Sequence, residues 1–590
     1  MKTLTTSIAR FLTLTILTLT LLACGGGGGG NGGNGTEEPT DPPPPPPSPP
    51  QEPITATEAA RFLSQATFGP NSAAIEAVVA SSAEDWFRAE LEKPASLHLD
   101  DVLSFFPPDG SFRDEQGMLM PELVFRASDS FWQKAVEGDD QLRQRMAYAL
   151  SQILVISAEG TLDGAPQTVA AYMDILTQGA FGNYRDLLEE VTYSPAMAVY
   201  LTYLRNQKAD PVTGRVPDEN YARELLQLFT IGLLQLNPDG TPTLDDQGQS
   251  IELYDNTDIT GLAKVFTGLN FPGTAFDSSL RFVPLEAYYQ QLVVFDAFHS
   301  DEEKNFLGTN IAAGTGGEAT LDQALDTIFG HPNVGPFLAR QLIQRFVTSA
   351  PTPNYVARVV AAFDAGDFTL PDGSSVGNGA RGDLSATLAA ILFDDEARSA
   401  ASTENIAFGK LREPVIRFTH WARAFEVNSA DASNETILRY TGGSDALGQH
   451  PYRSSSVFNF YRPGYIAPGT ATGNAGLTAP ELQIANATTV VGYPNFMTLF
   501  AFGLTPQRDR QISQAFIPSY STEIALADDS DALLDHLDLL LTHGNLQTDT
   551  RARIAEVLDF LPPDSDENRQ LRAQFASFMI MTAPEYIVLR

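Results

Sequence analysis

A single cysteine, Cys24, stands in 590 residues. An internal disulfide is therefore impossible, and so is any thiolate-rich metal cluster. Positive charge is also scarce, with 37 lysines and arginines against 73 aspartates and glutamates and a formal net charge of −36. Such a polyanion has no electrostatic attraction to a phosphate backbone, so nucleic acid is not an expected partner. Past the N-terminus no run approaches the ~20 apolar residues that a membrane-spanning helix needs. Standard catalytic signatures are missing as well: there is no H-E-x-x-H and no EF-hand loop. The three serines Ser454, Ser455 and Ser456 lack the G-x-S-x-G elbow of a serine hydrolase. No solenoid-type repeat is present. These absences leave any reaction, metal or cofactor unspecified.

The N-terminus is better marked. Lys2 and Arg10 form a positive n-region, Phe11 to Leu22 an apolar h-region, and Leu21-Leu22-Ala23-Cys24 resembles a bacterial lipobox. That resemblance implies a signal peptide over 1–23, cleavage before Cys24, and acylation of Cys24 with palmitate-type chains. Gly25 rather than Asp follows the cysteine, which by resemblance to Gram-negative lipoproteins favours the outer membrane. Residues 24–53 read as a disordered tether, first glycine-rich and then polyproline-rich at ~3.1 Å per residue. A folded body is expected over 54–590, as one large helical domain or two tightly associated lobes.

Helical periodicity dominates that body. Leu142, Met146, Ala149, Leu150 and Ile153 follow one buried face. Asn220 to Leu236 repeats the pattern, with Pro217 and Asp218 suited to a helix start and Leu225, Leu228, Phe229 and Leu233 on a shared face. Further helices are predicted over Thr57–Ala66, Ala73–Leu91, Val169–Ala180, Pro195–Leu204 and Gly335–Thr348, and across much of 531–590. Strand signals are few; Pro238-Asp239-Gly240 and Gln247-Gly248 suggest a small hairpin between Leu236 and Tyr254. Gly442 to Glu481 reads as a long ordered loop, a type of segment that often carries function. The expected fold is mainly α, a large multi-helix body with a small β-hairpin and long loops behind a disordered tether.

Chemistry-bearing residues cluster in a few places. Asn220 and Glu224 share a helix face beside Arg223, with Tyr221 between them, a set able to work as acid/base or ligand, or to form a satisfied structural network. Phe298 to Lys304 gathers His299 and three carboxylates, which suits a hard cation or a proton relay, and equally a solvated loop. His331 opens a helix, as a capping or a functional group. In Lys410 to Arg417, Glu413 and Arg417 are i,i+4 partners, worth ~0.3–0.5 kcal/mol if exposed, while Arg412 is left to reach elsewhere. Arg453 and Asn459 sit among hydroxyls and aromatics in the long loop, as pocket lining or interior plug. The candidate catalytic groups are thus Glu224, Arg223, His299 and Arg412, and the candidate binding groups Asn220, Tyr221, His331, Arg453 and Asn459.

The order of these segments is itself a signature. Ala60-Arg-Phe-Leu-Ser-Gln-Ala-Thr-Phe-Gly69 is followed by Asn220 to Gly232, His299 to Gly308, His331-Pro-Asn-Val-Gly335, Leu411-Arg-Glu-Pro414 and Ser456-Val-Phe-Asn-Phe460. The chain closely resembles the bacterial "domain of unknown function 1800" family over about Thr57 to Arg590. The resemblance implies a mainly helical exported protein, here a lipoprotein. It also implies genetic association with a second exported family that is sulfatase-like, a candidate partner. Where the family pattern has His-Asp, this chain has His299-Ser300, with Asp301 one place on. Two functions are expected on these grounds. The first is an envelope protein that binds or scaffolds an extracellular ligand or co-exported partner. The alternative is a metal-assisted or acid/base enzyme, hydrolytic or oxidative, acting on an extracellular substrate.

Overall fold

Helix accounts for 52% of the described residues, and the strands among them are two or three residues long. The structure, a computed structural model, describes residues 53–107, 120–399, 407–427, 441–503 and 517–590, with 402, 405 and 438 between them. Cys24 and the signal and tether expectations lie outside these residues. Glu52–Arg590 clusters as one unit.

Local chemistry explains most helix starts. Helix Ala56–Ala66 opens on a capping box: Thr55 Oγ1 accepts from the Glu58 N–H, and Glu58 accepts in return from the Thr55 N–H. Every residue from Ala59 to Ala66 is buried, so this first segment is core on all sides. The predicted helix Ala73–Leu91 is two helices, Ser72–Ala80 and Ala83–Glu92. Ser82 breaks it by capping the second piece, accepting from the Asp85 N–H at 3.0 Å. Gln141–Ser151 packs on Pro166–Gly179, and Val334–Phe346 on Pro353–Ala365, which in turn packs on the wholly buried Leu384–Leu392. The helices Ser521–Leu526, Ser530–Leu537, Thr548–Asp559 and Asp566–Met581 pack together near the C-terminal end. Strand Val588–Leu589 then pairs antiparallel with Lys410–Leu411.

Elsewhere the β-structure is minor. Lys304–Phe306 and Thr309–Ile311 form a tight hairpin whose two loop residues, Leu307 and Gly308, both have positive φ, as a type I′ turn requires. The expected hairpin between Leu236 and Tyr254 is instead a closed triangle of three short extended segments. Gln235 N–H donates to Ile251 O, Ile251 N–H to Thr243 O, and Thr243 N–H to Gln235 O, so each segment bonds both others. The two turns sit where the glycines predict them, with Gly240 and Gly248 at φ +75° and +76°. The long loop from Gly442 lies against Ser157 and Ala158, whose hydroxyl and N–H donate to Ser454 O and Tyr452 O. It contains one short helix, Ala471–Asn474, and reaches a 3₁₀ turn at Pro480–Gln483.

Candidate binding cleft

The segment from Asn220 starts as an α-helix and then widens. Asn220–Glu224 is α-helical, and Leu225–Thr230 is a π-helix, with Ile231 N–H donating to Leu226 O and Thr230 Oγ1 to Leu225 O. Short π segments are uncommon and recur at functional sites. Tyr221 anchors the α-helical part from inside: it is fully buried, its ring lies 4.3 Å from Tyr203 and 4.7 Å from Phe266, and its hydroxyl bonds Thr192. The predicted helix to Leu236 therefore stops early. The extra residue in the π turn rotates the chain beyond it, so Leu233, expected inward with Leu225 and Phe229, is 52% exposed.

Past the helix, Gly232 takes φ +73°, and a Cβ there would lie 3.0 Å from the Phe337 ring. Asn333 holds the strand that leaves it: Nδ2 donates to Ile231 O and Leu234 O at 2.8 Å, and Oδ1 accepts from Leu236 N–H at 2.9 Å. The outcome is an open cleft of about 620 Å³. Its walls come from the π segment (Leu228, Ile231), the following strand (Leu233, Leu234), Tyr254, Phe337, and the long loop (Phe458, Pro463). A volume of that size suits a small molecule or a side-chain anchor, within the ~300–1,000 Å³ of ordinary ligand pockets.

Four charged residues line the cleft, Arg223, Glu252, Asp255 and Arg462. Arg223 lines the cleft and pairs with Glu219 at 3.3 Å, both partly exposed. Arg462 lies over the Phe458 ring at 4.6 Å and has no carboxylate partner among the described residues. Glu224, next in the chain to Arg223, is buried with no partner on Oε2 and does not line the cleft. Burial raises its carboxyl above the ordinary value, against the opposing pull of Arg223. Tyr254 lines the cleft with a buried, unpartnered hydroxyl, pushed up to about 12 by burial and then by Glu224.

A profile described as "Protein of unknown function (DUF1800)" matches residues 61–588. The chain belongs to this family. No curated protein and no solved structure matches it. Several of the segments that carry the family resemblance meet at the cleft: the one from Asn220 supplies its floor, the one from His331 places Asn333 and Phe337, and the one from Ser456 supplies Phe458.

The remaining candidate residues of this DUF1800 chain go elsewhere. Asn220 sits half-buried at its helix start, its N–H donating to Asp218. His299 is buried against Thr267, whose carbonyl lies 2.9 Å from Nδ1; that contact makes Nδ1 the protonated nitrogen and leaves Nε2 a buried lone pair without a partner. Burial lowers its affinity for a proton. Asp301, from the same segment, faces outward to Lys208, while Lys304 is fully buried and donates to Ser300 O. His331 accepts from the Asn333 N–H and lies outside the cleft wall. Arg412 is enclosed beside His420 Nδ1 at 2.9 Å and over the Tyr586 ring, with burial pulling it down to about 10. Arg453 pairs with Asp163, and Asn459 holds a left-handed turn at φ +59°. Of the four candidate catalytic groups, Arg223 alone lines the cleft. Among the described residues no set of three or more His, Cys, Asp or Glu stands in position to hold a metal ion.

One constellation escaped sequence reasoning. Glu413, fully buried, does not pair with Arg417; its Oε2 accepts from Gln152, Gln449 and Tyr148 at 2.6, 2.8 and 3.1 Å. Lys410, Arg145 and Arg345 surround it and hold its carboxyl below the ordinary value despite burial, which acts the other way and is the largest influence. Lys410 also reaches Glu481 Oε1 at 3.4 Å and donates to Arg345 O, and Glu481 Oε2 accepts from Ser349. Three cations and two carboxylates thus tie helices Gln141–Ser151 and Val334–Phe346 to the Leu411-Arg-Glu-Pro414 segment and the end of the long loop. The only hint in the sequence was a density of charge at positions flanked by apolar residues.

Proposed function

We propose that this protein is an exported, lipid-anchored binding protein of the DUF1800 family, which captures the apolar part of an extracellular ligand or of a co-exported partner in the cleft beside the π-helix. The observation that carries the reading is the cleft itself: open, largely apolar, and assembled from four separated stretches of chain, while of the candidate catalytic groups only Arg223 lines it. Arg462 on Phe458 gives the mouth a cation and an aromatic face, suited to a ligand with an apolar body and an anionic or polar end. Acylation at Cys24 would hold the body at the outer membrane, and the sulfatase-like co-exported protein is the proposed partner. No helix among the described residues is long and apolar enough to cross a membrane.

Fluorescence titration with 1-anilinonaphthalene-8-sulfonate, an apolar aromatic anion, tests the cleft. Leu233→Ser and Phe458→Ala change side chains that are already 52% and 37% exposed, so the fold should survive. Each should weaken binding at least fivefold; undiminished binding in both would remove the cleft from consideration. Cys24→Ser should move the protein from the membrane fraction to the soluble one.

A second reading has its own observation. The unpartnered Glu224 carboxyl, raised by burial and close to the unpartnered Tyr254 hydroxyl, is the arrangement an acid/base pair would need. Under that reading Tyr254, which lines the cleft, meets the substrate and Glu224 acts through it, so Glu224→Gln abolishes turnover of a cleft-bound substrate while leaving probe binding intact.

A further inference from the structure

A second, smaller cavity of about 270 Å³ is lined by helix Pro414–Ala424, helix Ala487–Ala501 and the end of the short helix Pro584–Ile587. Its walls are mostly hydrocarbon: Leu411, Pro414, Leu447, Val490 and Pro494. Arg417 also lines it. It is 9% exposed, its Nε is buried without a hydrogen-bond partner, and among the described residues no carboxylate pairs with it. Its guanidinium lies over the Tyr493 ring at 4.2 Å.

A buried guanidinium with unused donors is costly unless something accepts from it. Thr489 and Thr582 donate to Ile484 O and Phe578 O, and the Tyr493 hydroxyl lies 3.5 Å from Met581 O. Glu481 also lines the wall: its Oε2 accepts from Ser349, and its Oε1 has no hydrogen bond but lies 3.4 Å from Lys410 Nζ, which balances its charge. Among the described residues Arg417 is therefore the cation at this wall that no carboxylate answers. The guanidinium fork matches a carboxylate in two parallel hydrogen bonds.

We propose that this pocket binds a small organic monocarboxylate, with its carboxylate on Arg417 and its hydrocarbon part against Leu411, Leu447 and Val490. The site is independent of the cleft beside the π-helix, and either can fail without the other. Calorimetric titration of the full chain with 4-methylpentanoate and with 4-methylpentanamide separates charge from shape. The acid should bind at least tenfold more tightly than the amide, and Arg417→Gln should erase that preference. Because Arg417 is buried, a second variant guards against misfolding. Val490→Asp places a like charge at a position that is already 62% exposed, and it should weaken the acid at least fivefold with little effect on the amide. No heat from either probe, equal affinity for both, or a preference unchanged in the variants overturns the proposal.

Discussion

Asn333→Ala is the sharpest test of how the cleft is built. The side chain is 1% exposed and makes three hydrogen bonds, to Ile231 O, Leu234 O and Leu236 N–H. Each such bond contributes about 1 kcal/mol net, so the clamp as a whole is worth roughly 3 kcal/mol before any cost of leaving the buried Ile231 carbonyl unpaired. A chain of this length does not unfold as one two-state unit, so a global unfolding midpoint would blur the effect. Amide exchange reads it locally. Loss of roughly 3 kcal/mol corresponds to about a hundredfold faster exchange, because each 1.4 kcal/mol is tenfold. Peptides covering 231–236 in Asn333→Ala should therefore exchange about a hundredfold faster, while helix Leu384–Leu392, wholly buried elsewhere, should be unchanged. Acceleration under fivefold would show that the triangle of extended segments holds itself and that Asn333 is incidental.

Three further outcomes are expected of the same structure. Burial raises the Glu224 carboxyl, so its contribution is fully present below the ordinary carboxylate range and is lost as pH rises through the raised value. Glu224→Gln should match the wild type in thermal midpoint at pH 4 and exceed it at pH 7; equal midpoints at both pH values would mean that the carboxyl is solvated. His98, His450 and His543 are held down to about 3, chiefly by burial, and burial also takes His420 well below its ordinary value. The unfolded chain takes up those protons below ~6.5, so stability is full above that pH and falls toward 3 at up to about 5 kcal/mol per pH unit for the four together. A melting temperature flat from pH 6.5 to 4.5 contradicts this. Finally, a Cβ on Gly261 would lie 1.8 Å from Asn305 O, where helix Asn256–Ala263 meets the Lys304–Phe306 strand. Gly261→Ala should cost several kcal/mol through forced separation, read as a lower melting temperature or loss of soluble protein.

Much of the helical frame was legible because its signals are local. The capping box at Thr55 and Glu58, the proline that opens Pro414–Ala424, and the apolar face of Gln141–Ser151 all lie within a few residues of the structure they determine. The π segment was not legible. Leu225, Leu228, Phe229 and Leu233 have the spacing of an ordinary buried face, and nothing in them announces an extra residue in the turn; Asn333 and Phe337, about a hundred positions away, hold the chain just past it. The break at Ser82 was readable, since Ser-x-x-Asp is an N-cap pattern, but the apolar residues on both sides masked it. Glu413 and Arg417 show a different failure. Their i,i+4 spacing implies a pair on a solvent-facing helix, whereas Glu413 is drawn inward by Arg145 and Arg345 from helices far away in sequence.

That contrast gives a way to separate architecture from function among the buried charges of this protein. Around Glu413 opposite charges are gathered: three cations, two carboxylates and the amides of Gln152 and Gln449 share the interior, and removing one member would leave the others unbalanced. Evolution can keep such a network for the fold alone. Arg417 and Arg462 are not answered within the described residues. One is enclosed beside a small hydrocarbon pocket and the other is laid on an aromatic ring at the mouth of a large one. Under the two binding proposals above, an unanswered donor rather than a density of charge is what a ligand would meet.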